Sequence, residues 1–202
     1  MRRLIVGLSG ASDVIYGIRL LEVLRGVEDL ETHLVMSSAA KQTILLETDC
    51  TVEQVEALAT AQYRFNDIAA KISSGSFKTM GMVVIPCSMK TLSGIALSFS
   101  ENLLLRAADV VLKDRRRLVL VPRETPLHLG HLRLMIQVVE MGAVLVPPMP
   151  AFYHRPQTLD DIVNQTVNRV LDLLDIELPT DLFERWSGPH YAPSQRREGS
   201  RP

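Results

Sequence analysis

Short apolar runs recur along the chain, each ended by small or hydroxylated residues and followed by a stretch with helical spacing. Leu4-Ile5-Val6 leads into Gly7-Leu8-Ser9-Gly10-Ala11-Ser12. Val14, Ile18, Leu21 and Leu24, with Gly17 on the same face, then follow helical periodicity. His33 to Met36 ends at Ser37-Ser38, and Ala39 to Glu47 reads as helix. Val83 to Ile85 is too short for a helix and β-branched enough for a buried parallel strand. Pro86 has no N–H to donate, so the chain is expected to leave the sheet there, with Ser88 and Thr91 opening the next helix. The alternation continues with a stripe through Leu103, Leu104, Ala107, Ala108 and Val111, and a strand from Leu118 to Val121. A helix from Leu127 to Met141, closed by Gly142, and a strand from Ala143 to Val146 follow. The last helix carries Leu159, Ile162, Val163, Val167, Val170, Leu171 and Leu174, and Thr51 with Gln54 and Thr158 with Asp161 read as capping boxes. Residues 60 to 80 hold no clear period, and Ser73-Ser74-Gly75-Ser76 suits a mobile flap or a plain connector equally. Strand alternating with helix predicts an α/β fold on a parallel sheet.

Open sheets of this class collect ligands at the carboxyl ends of their strands. Backbone N–H groups and the hydroxyls of Ser88 and Thr91 point at one spot there, an arrangement that holds a phosphate or a flavin edge and equally serves as ordinary N-capping. The first turn is neither a G-x-G-x-x-G fingerprint nor a P-loop. Pro122-Arg123-Glu124-Thr125-Pro126 holds an arginine and a carboxylate between two prolines at the sheet edge. Pro147-Pro148-Met149-Pro150 presents Phe152 and Tyr153 as a stiff apolar wall, suited to a hydrocarbon substrate or to a subunit contact. Arg106 and Lys113 project away from their helix's apolar stripe. Arg169, at the edge of the final stripe, is expected half-buried and in need of an anion.

At 202 residues the chain suits one domain, and 22 basic against 23 acidic residues give no field to argue for nucleic acid or an anionic membrane. Two distant cysteines, Cys50 and Cys87, with no secretory leader and no apolar run long enough to span a bilayer, indicate a reducing cytoplasm. His128 and His131 are three apart but lack a third ligand beside them, so no metal is expected. Arg115-Arg116-Arg117 reads as a solvated turn, His33 as a strand residue with a satisfied ring, and residues 187–202 as a flexible tail.

Six separated motifs together resemble the UbiX-type flavin prenyltransferases over about residues 3 to 186. They are Gly10-Ala11-Ser12, Ser37, Pro86-Cys87-Ser88-Met89-Lys90-Thr91-Leu92, Arg106-Ala107-Ala108-Asp109-Val110, Pro122-Arg123-Glu124-Thr125-Pro126-Leu127 and Pro150-Ala151-Phe152-Tyr153. Ile72-Ser73-Ser74-Gly75-Ser76-Phe77 looks especially like the B subunits of bacterial hydroxyarylic (phenolic) acid decarboxylase systems. The resemblance implies a flavodoxin-like, Rossmann-type three-layer α/β domain over residues 1–186 that binds FMN and assembles as a homododecamer. It further implies alkylation of reduced FMN with dimethylallyl phosphate, without metal, for a UbiD-type decarboxylase. By the same resemblance Gly10, Ala11, Ser12, Ser37, Ser88, Met89, Lys90, Thr91 and Arg123 would hold FMN. Arg106, Lys113, Tyr153 and Arg169 would bind or cover the dimethylallyl phosphate group, with Tyr153 and Arg169 open to coming from another subunit. Ser12, Glu47 and Glu124 would surround the reacting flavin. The chain departs from the family pattern at Asp13, usually a small residue, at Ser38, and at Arg133-Leu134. Two other readings stand beside this one: a non-catalytic FMN-binding accessory subunit, and an FMN-dependent cysteine decarboxylase, whose Pro-x-Met-Asn motif is missing.

Overall fold

A computed structural model describes residues 1–188; of the expected tail, residues 189–202 lie outside the described residues. Six strands, β1 Arg2–Leu8, β2 Leu30–Met36, β3 Ala61–Tyr63, β4 Gly81–Cys87, β5 Arg117–Pro122 and β6 Val144–Leu145, alternate with helices. These are α1 Ile15–Leu24, α2 Ser38–Glu47, α3 Val52–Glu56, α4 Met89–Ala96, α5 Leu103–Lys113, α6 Leu129–Glu140 and α7 Leu159–Leu173. The sheet order is β3-β2-β1-β4-β5-β6, and every pair is parallel. The chain runs outward from β1 to β3, then returns to lay β4 on the other side of β1. The crevice at the carboxyl ends of β1 and β4 is therefore the topological switch point, where open α/β sheets bind ligands.

Alternation along the buried strands builds two cores, one on each face of the sheet. Leu4, Val6 and Leu8 of β1 with Val83 and Ile85 of β4 pack against α1 and α7, whereas Ile5, Met82 and Val84 face α4, α5 and Val138 of α6. Each fully buried leucine of this kind contributes about 1.5–3 kcal/mol relative to an exposed one. Gly17 lets α1 lie close on the sheet, because a Cβ there would stand 2.4 Å from the Ile85 carbonyl oxygen.

Several details differ from the sequence-based expectations. Pro86 does not end its strand: the register shifts between Val84 and Cys87, and Cys87 pairs with Pro122 before the chain leaves the sheet. The 60–80 stretch holds the short edge strand β3 and a 3-10 turn, Lys71–Ser73. The loop after that turn is a fastened connector. Arg106 donates to the Ser73 carbonyl, and Arg116 donates to the carbonyls of Gly75 and Phe77. Arg116 is thus a largely buried clamp and not part of a solvated turn, and Arg117 is likewise engaged, by Leu173 O and Asp175. Leu159 falls outside the buried stripe of α7 and is exposed. Among the described residues, no helix is long and apolar enough to cross a membrane.

His33 is only partly satisfied. Its Nδ1 lies 2.9 Å from the Tyr63 hydroxyl, but Nε2 is buried without a hydrogen-bond partner, with Glu31 Oε2 at 3.7 Å. The Phe77 ring packs edge-on against it, and Arg3 and Lys71 both lie over that same ring. Burial, then the Lys71 charge, push the His33 pKa down, outweighing the opposing pull of Glu31. A histidine depressed in the folded state stabilises above its unfolded pKa of about 6.5, and that stability is lost as pH falls through this value towards the folded one. The thermal midpoint is therefore expected to drop between about pH 7.5 and pH 5. His33→Gln should show a smaller drop in parallel melts; equal drops would remove His33 from the account.

Candidate active site

Three strand-to-helix turns meet at the switch point. Ser37 caps α2, its Oγ accepting the Ala40 N–H at 3.0 Å, and Ser88 caps α4, its Oγ accepting the Thr91 N–H at 3.2 Å. Ser88 Oγ also donates to Thr91 Oγ1 at 3.1 Å, so the capping and ligand-holding readings of these hydroxyls coexist. Ser9, 1% exposed, ties the first turn to the central one: its Oγ donates to the Pro86 carbonyl and accepts the Ser88 N–H at 2.7 Å. Gly10 brings the first turn against α2 so closely that a Cβ on it would stand 2.2 Å from Ala39 Cβ.

These turns open onto a cavity of about 1040 Å³, near the upper end of the ~300–1,000 Å³ usual for small-molecule sites. Of the sequence-predicted residues, Gly10, Ser37, Ser88, Met89, Lys90, Thr91 and Glu124 line it. Phe65, Leu97, Phe99 and Leu105 give it an apolar side. Sequence reasoning missed that side, because Phe65 lies in the aperiodic stretch and Leu97 and Phe99 follow the end of α4. Asn102, also unpredicted, caps α5 through Leu105 N–H and lines the same cavity.

A second knot of charge sits on the same sheet edge. Asp13 has φ 70°, a left-handed conformation that aspartate tolerates better than most residues. Its N–H and that of Val14 donate to Glu47 Oε2 at 2.8 and 3.2 Å, and its carboxylate accepts from Arg123 Nε at 2.8 Å. The hydrogen bond that Arg123 donates to Asp13, then the Asp13 charge, with Glu124 and Glu47 adding to it, hold Arg123 more firmly in its charged form. Asp13 therefore meets Arg123 and is not among the residues lining the large cavity. Cys87 is fully buried and its thiol is pushed up to about 12 by that burial, which makes it packing and not a nucleophile at neutral pH.

Ala11 and Ser12 belong to the first turn, although neither lines the cavity, and the other predicted residues lie elsewhere. Arg106 and Lys113, two turns apart on α5, border the 73–76 loop: Arg106 pairs with Asp109, and Lys113 with Asp114. Tyr153 and Arg169 line a separate cavity of about 380 Å³ with Gln165, Asp172, Phe183, Arg185 and Trp186. Arg169 is exposed, not half-buried, and its nearest carboxylate, Asp172, is 3.6 Å away. The His128 and His131 rings lie with centroids 3.6 Å apart, tilted by 33°, and His128 Nδ1 accepts the Gly130 N–H as the cap of α6.

A family model described as Flavoprotein matches residues 1–171. The flavin prenyltransferase UbiX of Escherichia coli K12 is 68% identical over 188 residues, which cover 93% of this chain and all of that protein. The chain belongs to the UbiX-type flavin prenyltransferase family. Two solved structures of UbiX-type proteins superpose with TM-scores of 0.89. A dodecameric FMN-dependent UbiX-like decarboxylase from Escherichia coli O157:H7, 54% identical, covers 92% of this chain and all of that one. AnUbiX (PadA1) in complex with FMN and dimethylallyl pyrophosphate, 51% identical, covers 93% of this chain and 98% of that one. Within the UbiX-type fold, then, the single chain brings together the switch-point turns but leaves Arg106 with Lys113, and Tyr153 with Arg169, outside the cavity those turns line.

Proposed function

We propose that this enzyme transfers the dimethylallyl group of dimethylallyl phosphate to reduced FMN, making prenylated FMN for a UbiD-type aromatic acid decarboxylase. The observation that carries the reading is the convergence of Gly10, Ser37 and Ser88 to Thr91 on one cavity at the switch point, in a chain 68% identical to a flavin prenyltransferase. The donor set suits the flavin. Hydroxyls and helix N-terminal N–H groups receive a phosphate, while Phe65, Leu97, Phe99 and Leu105 cover a flat apolar ring system. Reduced FMN, when bound, supplies the nucleophilic ring that accepts the prenyl carbon.

The protein's own groups answer the rest of the chemistry. Cleaving the allylic C–O bond sends its electron pair to phosphate and leaves a delocalised cation, so cationic side chains are needed at one end and a π-rich wall at the other. Arg106, Lys113 and Arg169 serve the leaving phosphate, and Tyr153 or Phe152 the prenyl cation. Ser12, Glu47 and Glu124 are the polar groups beside the flavin. Glu124 or the departing phosphate accepts the proton released as the new ring closes. Arg123 holds FMN, with Ala11, Met89 and Lys90 completing the backbone cradle.

Because Tyr153 and Arg169 line a cavity with no residue in common with the switch-point cavity, we place them in the site of a neighbouring copy within a homododecamer. Leu129, Leu132, Ile136 and Val139 of α6, all exposed in the single chain, support burial between copies. Cys50 and Cys87, both free, accord with a cytoplasmic home. Anaerobic turnover of reduced FMN with dimethylallyl phosphate tests the assignment.

A further inference from the structure

Arg185 ties the chain after α7 back onto that helix. Arg185 Nη1 and Nη2 donate to Asp172 Oδ2 and Oδ1 at 2.9 and 2.7 Å, while Nη2 and Nε also donate to the two oxygens of Asp181. Asp172 is on α7 and Asp181 on the segment being fastened, so one guanidinium bridges both. Beside it, the Leu182 N–H donates at 2.9 Å to Oδ1 of Asn168, which is 2% exposed. The hydrogen bonds to Asp172 and Asp181 hold Arg185 all the more firmly protonated, and Arg185 in turn depresses the Asp181 pKa.

Two consequences reach the Tyr153 and Arg169 cavity. First, the fastened segment presents Phe183 and Trp186 edge-on to the Tyr153 ring, with centroids 6.4 and 5.8 Å away. Second, the fork of Arg185 occupies both oxygens of Asp172, and Arg169, one turn earlier on α7, is left with only a 3.6 Å approach to that carboxylate. A bidentate arginine and carboxylate pair is the strongest partner Asp172 has within reach, so Arg169 is spared from an internal ion pair and keeps its guanidinium available for an external anion.

We propose that Arg185 is a positioning residue: by clasping the 177–186 segment and engaging Asp172, it fixes the aromatic wall around Tyr153 and reserves Arg169 for the phosphate of an allylic phosphate ester. This rests on the prenyl-transfer reading given above. Losing Arg185 releases Phe183 and Trp186 and frees Asp172 to pair with Arg169, so that the enzyme's own carboxylate competes with substrate phosphate. Arg185→Lys keeps the charge but not the fork, and should fall between the two.

The test compares wild type, Arg185→Ala and Arg185→Lys as FMN-loaded full chains. Trp186 is the sole tryptophan, so its fluorescence anisotropy reports on the clasp directly. Arg185→Ala is expected to lower that anisotropy and to raise KM for dimethylallyl phosphate at least tenfold, with kcat held within about threefold and FMN affinity within about twofold. Arg185→Lys should give intermediate values of both. Adding Asp172→Asn to Arg185→Ala should recover part of the KM, because the competing carboxylate is gone. Unchanged KM in Arg185→Ala, unchanged anisotropy, or a fall confined to kcat would overturn the proposal. Arg169→Ala separates the two levels. If it raises KM while Arg185→Ala does not, the clasp is wrong and the reading of the cavity stands. If neither variant moves KM, it is the assignment of that cavity to the allylic phosphate that has failed.

Discussion

Arg169→Ala is expected to lower kcat/KM for prenyl transfer by about 100-fold, the scale of removing one donor that stabilises developing charge. FMN affinity and thermal midpoint should stay where they are. The side chain is 58% exposed and its one carboxylate neighbour is 3.6 Å away, so its structural share is at most that of a surface pair, about 0–1 kcal/mol. The cavity it lines shares no residue with the one formed by the switch-point turns, which is why flavin binding should be untouched. A chain that merely carried FMN to a decarboxylase would behave identically with and without Arg169. Stopped-flow turnover beside a flavin titration resolves the alternatives.

Gly10→Ala should damage both flavin affinity and stability, through one contact. The added carbon would stand 2.2 Å from Ala39 Cβ, with the Ala39 backbone at 3.3 Å, so the first turn has to withdraw from the N-terminus of α2. Overpacking of this kind costs about 1–3 kcal/mol. The turn that withdraws is the one that Ser9 ties to Ser88, so the movement also disturbs the central cap. FMN binding is expected to weaken at least tenfold, equivalent to about 1.4 kcal/mol. The second-site change Ala39→Gly removes the opposing methyl and should restore most of the flavin affinity. It should leave a residual stability loss of about 1 kcal/mol from glycine in a helix. If Gly10→Ala binds FMN normally, the first turn is not part of the cradle.

Much of the fold was legible because strand and helix periods differ so plainly in an α/β chain. Leu4 to Val6, Val83 to Ile85 and Leu118 to Val121 are buried on both faces and read as unbroken apolar runs, and Ser37, Ser88, Thr51 and Thr158 announce helix starts through their own capping chemistry. What escaped had weak local signals. The edge strand β3 is three residues long, and Arg116 looked like one of three solvated arginines until its hydrogen bonds to Gly75 and Phe77 came from a loop some forty positions earlier. Pro86 was expected to end a strand, yet the register only shifts across it and the ladder resumes at Cys87.

The site followed the same division. Ser88 and Thr91 were predictable from local sequence, whereas the apolar side made by Phe65, Leu97 and Phe99 depends on how distant segments fold over the turn. Arg106, Lys113, Tyr153 and Arg169 were singled out by type and motif, but a linear sequence does not say that Tyr153 and Arg169 share a cavity apart from the one the turns line. Asp13 is the instructive case. It departs from the family pattern, where a small residue is usual, and its left-handed backbone and its bond to Arg123 show how the chain accommodates a carboxylate there.

The most direct test of the account is a single anaerobic incubation of the purified protein with reduced FMN and dimethylallyl phosphate, followed by mass spectrometry of the released flavin. Prenylated FMN should accumulate together with an equal amount of inorganic phosphate. FMN recovered at its original mass, with the phosphate ester intact, would contradict it.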